Sequence, residues 1–174
     1  MMENKKLEHW KLNELKGLAD KEIPIDIKSD LSYKTLVAII ATLGKYLIKT
    51  EGYSVTETIL KRELRELGKK DAAKIKEILG LNTRITEEDV KSVMNIMAMI
   101  LGLRLDFIGE KKVGVVKCPF YDALKEYKQP FMCNACIEYN NGVVHELVGT
   151  NSKVKRTKWL FDGDNCCVFD VMLQ

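Results

Sequence analysis

Residues 103–116 read LRLDFIGEKKVGVV, and this stretch decides the fold. Leu103, Leu105 and Phe107 alternate with polar residues, which is the two-residue period of a strand buried on one face. The segment Gly109 to Lys112 has the composition of a tight turn, and a second apolar run, Val113 to Val116, follows it. The stretch therefore predicts a β-hairpin.

The residues that follow predict helices and then a second hairpin. Pro119 suits the first turn of a helix ending near Lys128, and another helix is expected from about Met132 to Val148. Val154 to Phe161 and Cys167 to Leu173 have the pattern of two strands, and Asp162 to Asn165 between them has the composition of a turn.

The residues before the first hairpin have helical periodicity. We expect a mostly buried central helix and four others, at about Leu7–Leu18, Ser32–Lys49 (the central one), Ser54–Leu67, Lys70–Leu79 and Thr86–Leu101. Capping boxes predict two of the starts, Ser54 with Glu57 and Thr86 with Asp89. Together these elements predict an α+β fold, in which a helical layer packs on a four-stranded antiparallel sheet built from two hairpins.

Length and composition favour a single soluble cytoplasmic domain spanning residues 1–174, with a helical part, 1–101, and a cysteine-containing part, 102–174. The net charge is 28 − 25 = +3 and is spread along the chain, which argues against nucleic-acid binding. No apolar run approaches the roughly 20 residues of a membrane span, and the N-terminus lacks the pattern of an export signal. A homodimer is compatible with the sequence.

The cysteines are the most informative residues for function. Cys133 and Cys136 form a Cys-x-x-Cys pair, Cys118 lies upstream, and Cys166 and Cys167 are adjacent near the C-terminus. Because thiolates on separate segments can close a tetrahedral zinc site, we expect Cys118, Cys133, Cys136 and Cys167 to hold zinc. Scattered buried thiols and a redox pair are the alternatives. Strand alternation places Cys167, not Cys166, on the apolar face.

A family resemblance adds to this pattern. Lys117 to Phe120, the Cys133/Cys136 pair and the ending Trp159 to Phe169 resemble 4-vinyl reductase domains and the related L-2-amino-thiazoline-4-carboxylate hydrolase family. The resemblance covers residues 102–174 and implies a fold like that of trafficking-particle subunits, holding a small apolar molecule beside a cysteine-bound zinc. The chain departs from the sensor-type members, which pair a glutamate with a cysteine where this strand has Arg156 and Trp159.

The sequence also suggests where a ligand binds. Met94 and Met97 lie on one predicted helix, and methionine adapts to irregular apolar ligands, although simple core packing explains them as well. A pocket between this helix and the sheet gives Met94, Met97, Trp159 and Phe169 as ligand-binding candidates. The first functional hypothesis is therefore a domain that binds a small apolar molecule and contains zinc. The alternatives are a zinc-dependent hydrolase of a small carbon–nitrogen or carbon–sulfur substrate, such as a thiazoline carboxylate, and a scaffold or assembly subunit.

Overall fold

The structure, a computed structural model, describes residues 25–81, 85–126 and 130–173. Contacts divide the chain into two units, residues 1–36 and 37–174. The described part of the first unit, residues 25–36, is helical throughout. The helix expected at Leu7–Leu18 lies outside the described residues.

The described residues form five α-helices and four strands. The helices are α1 (Ile25–Glu51), α2 (Tyr53–Ile78), α3 (Glu87–Ile100), α4 (Pro119–Glu126) and α5 (Phe131–Val148). The strands are β1 (Arg104–Ile108), β2 (Lys112–Lys117), β3 (Lys153–Lys158) and β4 (Cys167–Met172), with a 3-10 turn at Leu160–Asp162 before β4. The α+β fold predicted from the sequence is confirmed.

The sheet has the strand order β1-β2-β4-β3, and all of its pairs are antiparallel. Each predicted hairpin is present, and the pairing of β2 with β4 joins them in the middle of the sheet. One face of the sheet packs against α3 and α5, and α2 packs along α5 on the side away from the sheet. The core lies in this layer, with Val93, Val144 and Val154 almost fully buried.

Helix α3 begins and ends where its local sequence predicts. The Thr86 side chain accepts a hydrogen bond from the Asp89 N–H, and the Asp89 carboxylate accepts one from the Thr86 N–H. Two of the backbone amides that have no partner within the helix are therefore satisfied. The chain turns after Leu101 at Gly102, whose φ of 67° is a conformation that favours glycine.

The prediction for α1 was wrong in two respects. The helix begins at Ile25, not Ser32. Its side chains in the second unit are also far from fully buried, with Leu43 57 % and Tyr46 64 % exposed. The buried stripe consists of the small side chains of Val37 and Ala41 together with Gly44. An apolar pattern wider than one stripe therefore does not make α1 a central helix.

The prediction of two helices between Ser54 and Leu79 was also wrong, since α2 is continuous from Tyr53 to Ile78. The expected capping box does not form, because Gly52 occupies the N-cap position without a side-chain hydrogen bond. Gly68 does not end the helix. It lies where α2 meets α5, and a side chain there would collide with the Tyr139 backbone. The glycine therefore reflects close helix packing.

Candidate functional site

Four cysteines from three chain segments lie around one end of α5. Cys118 directly precedes α4, Cys133 and Cys136 lie in the first two turns of α5, and Cys167 is the first residue of β4. The first turns of a helix carry partial positive charge, which stabilises negative sulfur atoms. None of the five cysteines is in a disulfide, and all five are partly buried. We call Cys118, Cys133, Cys136 and Cys167 the thiol cluster.

Strand register shows which of the two adjacent cysteines faces the helices. Cys167 pairs with Val115, and farther along β4 the residues Phe169 and Val171 contact the apolar core. Because side chains alternate along a strand, Cys167 shares this inner face, whereas Cys166 lies in the bend that precedes β4. Cys167 is therefore the one that faces the helices, as alternation predicts.

The thiols of the cluster interact electrostatically. Burial raises the pKa of the Cys133 thiol well above its ordinary range, and Cys136, Cys118 and Cys167 raise it further. Burial likewise raises the pKa of Cys136 to about 12, with an additional contribution from Cys118. Because Coulomb interactions weaken with distance, these effects place Cys136, Cys118 and Cys167 within electrostatic range of the Cys133 thiol.

The donor set fits zinc in its chemistry, but the side chains are not arranged as a closed metal site. Four neighbouring sulfur donors are the ligands of a structural zinc centre. In the described ranges, no three side chains of His, Cys, Asp or Glu have the geometry of a metal-binding group. The structure thus brings the predicted ligands into one neighbourhood, and metal binding would require their side chains to converge further.

Arg156 is the cation beside the thiol cluster, and sequence analysis did not select it as a site residue. Its Nη2 donates to Asn134 Oδ1 at 2.6 Å, and its Nη1 donates to the Cys133 carbonyl at 3.4 Å. Its guanidinium carbon lies 3.9 Å from the centre of the Trp159 ring. Burial lowers the pKa of Arg156, whereas Cys167 and Cys133 raise it. The signal that could have found it is strand alternation, since Arg156 lies two residues after the apolar Val154 and so on the same face of β3.

Aromatic rings adjoin the guanidinium. The rings of Trp159 and Phe161 meet edge to face, with their centres 5.5 Å apart. The rings of Phe161 and Tyr121 meet in the same way, with their centres 4.9 Å apart. The Asp164 carboxylate accepts a hydrogen bond from the Trp159 backbone N–H at 2.7 Å, so this aspartate stabilises the turn. The chain leaves strand conformation after Lys158, so the strand expected to reach Phe161 is shorter than predicted.

A separate cavity of about 230 Å³ lies between α3, the β1–β2 turn and the end of β4. Most of the residues that line it are apolar, namely Val90, Met94, Phe107, Val113, Val171, Met172 and Leu173. The charged residues Glu87, Lys91, Glu110 and Lys111 also line it. Sequence analysis found only Met94 in this set.

The four candidate ligand-binding residues lie in different surroundings. Met94 lines the cavity, and Met97 is buried in the core beside it, 5 % exposed. Phe169 packs against the same core from β4. Trp159 stacks on Arg156 near the thiol cluster and does not line the cavity.

Comparison with known proteins supports the fold. No family model matches the chain, and no curated protein matches its sequence. A trafficking protein particle complex subunit 3 from Naegleria fowleri, covalently bound to palmitic acid, matches with a TM-score of 0.59 and 16 % identity, over 83 % of this chain and 96 % of that one. The phenol-responsive sensory domain of the transcription activator PoxR, with phenol, matches with a TM-score of 0.55 and 13 % identity, over 78 % and 74 %.

At these identities the likeness shows the fold alone. The trafficking-subunit-like fold implied by the family resemblance therefore has structural support, whereas membership in the 4-vinyl reductase family is not shown. None of the described helices is long and apolar enough to span a bilayer.

Proposed function

We propose that this chain is a small-molecule-binding domain with a zinc ion held by Cys118, Cys133, Cys136 and Cys167. The observation that carries the proposal is that Cys136, Cys118 and Cys167, which lie on three separate segments, all act electrostatically on the buried Cys133 thiol. Zinc must displace the protons of these buried thiols, so their raised pKa values make metal binding pH-dependent and weaken it as the pH falls. The ion would link β4 to α5 and to the segment before α4.

A closed four-thiolate centre is preferred to the open centre of a hydrolase. An open zinc site keeps one position for water and uses three protein ligands. Here three other thiols act on Cys133, so a fourth sulfur is available for the position that an open centre would leave to water. Zinc would therefore stabilise the fold, and the small molecule would bind elsewhere.

The cavity beside α3 is the proposed binding site for the small molecule. Both structural neighbours are described with bound small molecules, phenol in one and palmitic acid in the other. A dry cavity of about 150 Å³ accommodates benzene, so a cavity of about 230 Å³ accommodates a molecule with one aromatic ring. Palmitate has roughly three times as many heavy atoms as benzene and by this ratio would not fit. We therefore propose a compact, mostly apolar ligand.

Filling the cavity should abolish binding. A Met94→Trp variant is expected to lose binding of phenol, because the larger side chain projects from α3 into the space that the ligand would occupy. Isothermal titration calorimetry with phenol, and in parallel with palmitate, measures this directly. We expect phenol to bind the wild type and palmitate not to bind it.

A Met97→Ala variant is the control for general core damage. Met97 is buried next to the cavity but does not line it, so its truncation should cost about 2–5 kcal/mol of stability. Phenol binding to the folded fraction should persist. If phenol binds Met94→Trp as well as it binds the wild type, the cavity is not the binding site.

A further inference from the structure

The cavity beside α3 meets solvent between four charged side chains, which we call its mouth. Glu87 and Lys91 line it from the first turns of α3, and Glu110 and Lys111 line it from the β1–β2 turn. The Val171 N–H donates to the Lys111 carbonyl at 2.8 Å, which fixes this turn against β4. A molecule whose body fills the apolar part of the cavity would therefore place its end group among these charges.

The charges of the mouth do not balance. Lys91 already has a partner, because its Nζ lies 2.8 Å from Oε1 of Glu88, three residues earlier on α3. Within the ranges that the structure describes, Glu87, Glu110 and Lys111 form no ion pair. Two carboxylates without a partner thus lie with one ammonium group without a partner, and the charge left over is negative.

The ammonium group of Lys91 shows how a cation is treated at this place. Its hydrogen bond to Glu88 raises its pKa most, desolvation lowers it, and the negative charges of Glu88, Glu87 and Glu110 raise it again. Because Glu110 belongs to the turn and Lys91 to α3, the Glu110 carboxylate acts across the cavity. Surroundings that favour the protonated amine of a lysine also favour the protonated amine of a ligand.

We propose that the cavity binds compact apolar molecules that end in an amine in preference to those that end in a carboxylate. This inference rests on the proposed binding of a small molecule in the cavity and names the class of that molecule. The protonated amine would donate hydrogen bonds to Glu87 and Glu110. A carboxylate would meet two like charges, with Lys111 alone to offset them. A neutral hydroxyl group would bind with intermediate affinity.

The test uses three probes with the same ring and different end groups, namely benzylamine, benzyl alcohol and benzoate. Isothermal titration calorimetry at neutral pH gives their dissociation constants, first at low ionic strength and then in about 1 M salt, where the Debye length is about 3 Å. At low ionic strength we expect benzylamine to bind at least about fivefold more tightly than benzoate. The difference should shrink in high salt, because the charges of the mouth are exposed.

Variants of the mouth should change this preference in opposite directions. Glu87→Gln and Glu110→Gln should each reduce the preference for benzylamine, and Lys111→Gln should increase it. Glu63→Gln is the matched control, since Glu63 is an exposed carboxylate on α2 that does not line the cavity. Its removal changes the net charge equally and should leave the preference unchanged. Benzyl alcohol should bind all four variants as it binds the wild type, which shows that the cavity is intact.

The other outcomes overturn the inference at different points. If benzyl alcohol binds the wild type and benzylamine has no advantage over benzoate, the cavity stands as a binding site and the ligand class is wrong. If Glu63→Gln changes the preference as much as Glu110→Gln does, only the net charge matters. If Glu87→Gln and Glu110→Gln weaken all three probes equally, the carboxylates only shape the cavity. If no probe binds the wild type, the proposed binding site and this inference fail together.

Discussion

A Cys167→Ser variant is expected to lose most of the zinc bound by the wild type. Cys167 is the member of the thiol cluster contributed by the sheet, and its side chain lies on the face that contacts the helices. The serine hydroxyl is a poor substitute for a thiolate, and the binding energy of a structural zinc ion is also folding energy. A ligand present at one hundred times its dissociation constant stabilises a protein by about 2.7 kcal/mol. Loss of this stabilisation free energy should lower the melting temperature by about 5–10 °C.

Cys166→Ser is the matched control, because it makes the same chemical change one residue away. Cys166 lies in the bend before β4 and is not among the proposed ligands, so zinc content and melting temperature should stay close to those of the wild type. Zinc content per chain is measured by mass spectrometry of the element, and melting by circular dichroism. Loss of zinc from Cys166→Ser with retention in Cys167→Ser would show that the ligand assignment is wrong.

A Gly142→Ala variant should be destabilised by more than about 3 kcal/mol. Helices α2 and α5 approach so closely that a methyl group on Gly142 would overlap the Arg65 carbonyl oxygen and lie 3.0 Å from the Lys69 nitrogen. Gly68 is in the reciprocal position, with the Tyr139 carbonyl in the way and the Val143 nitrogen at 3.2 Å. These atoms belong to helix backbones and cannot rotate aside. The intrinsic helix preference for alanine, about 1 kcal/mol, is too small to offset the collision.

Gly44→Ala in α1 is the control for this prediction. Its added methyl group would meet the far end of the Phe131 ring at 2.8 Å, and a side chain yields more readily than a backbone. Urea unfolding should therefore show a smaller loss for Gly44→Ala than for Gly142→Ala or Gly68→Ala. Equal losses at all three positions would mean that the helix crossing is looser than the structure indicates.

Sequence patterns that span only a few residues predicted much of this fold. Contacts between residues far apart in the sequence account for the elements that were predicted wrongly. The Thr86 and Asp89 pair marks a helix start because both hydrogen bonds form within four residues. Gly68 was interpreted as a helix end, because its partner, Tyr139, lies 71 residues away in the sequence (139 − 68). The exposure of Leu43 and Tyr46 depends on which elements cover α1, and the apolar pattern alone does not reveal that.

The same distinction applies to the candidate site. Cysteine is distinctive enough that its spacing alone suggested a shared site. In the structure, Cys136, Cys118 and Cys167 act electrostatically on Cys133, and their role as metal ligands stays a prediction. Arg156 was interpreted as one of several strand basic residues, because its contacts with Asn134 and Trp159 are known only after the strand is placed against α5. The cavity combines side chains from α3, both hairpins and a turn, so only Met94 had been selected from the sequence.

The most direct test of the account is the metal content of the wild-type protein, purified without a metal-affinity column. Mass spectrometry of the element should find about one zinc ion per chain, as expected for a tetrahedral centre with four thiolate ligands. In the folded protein, Ellman's reagent should react quickly with Cys166 alone and with the four cluster thiols only after a chelator is added. A metal-free protein that is fully folded, and whose five thiols all react without chelator, would contradict the proposed zinc centre.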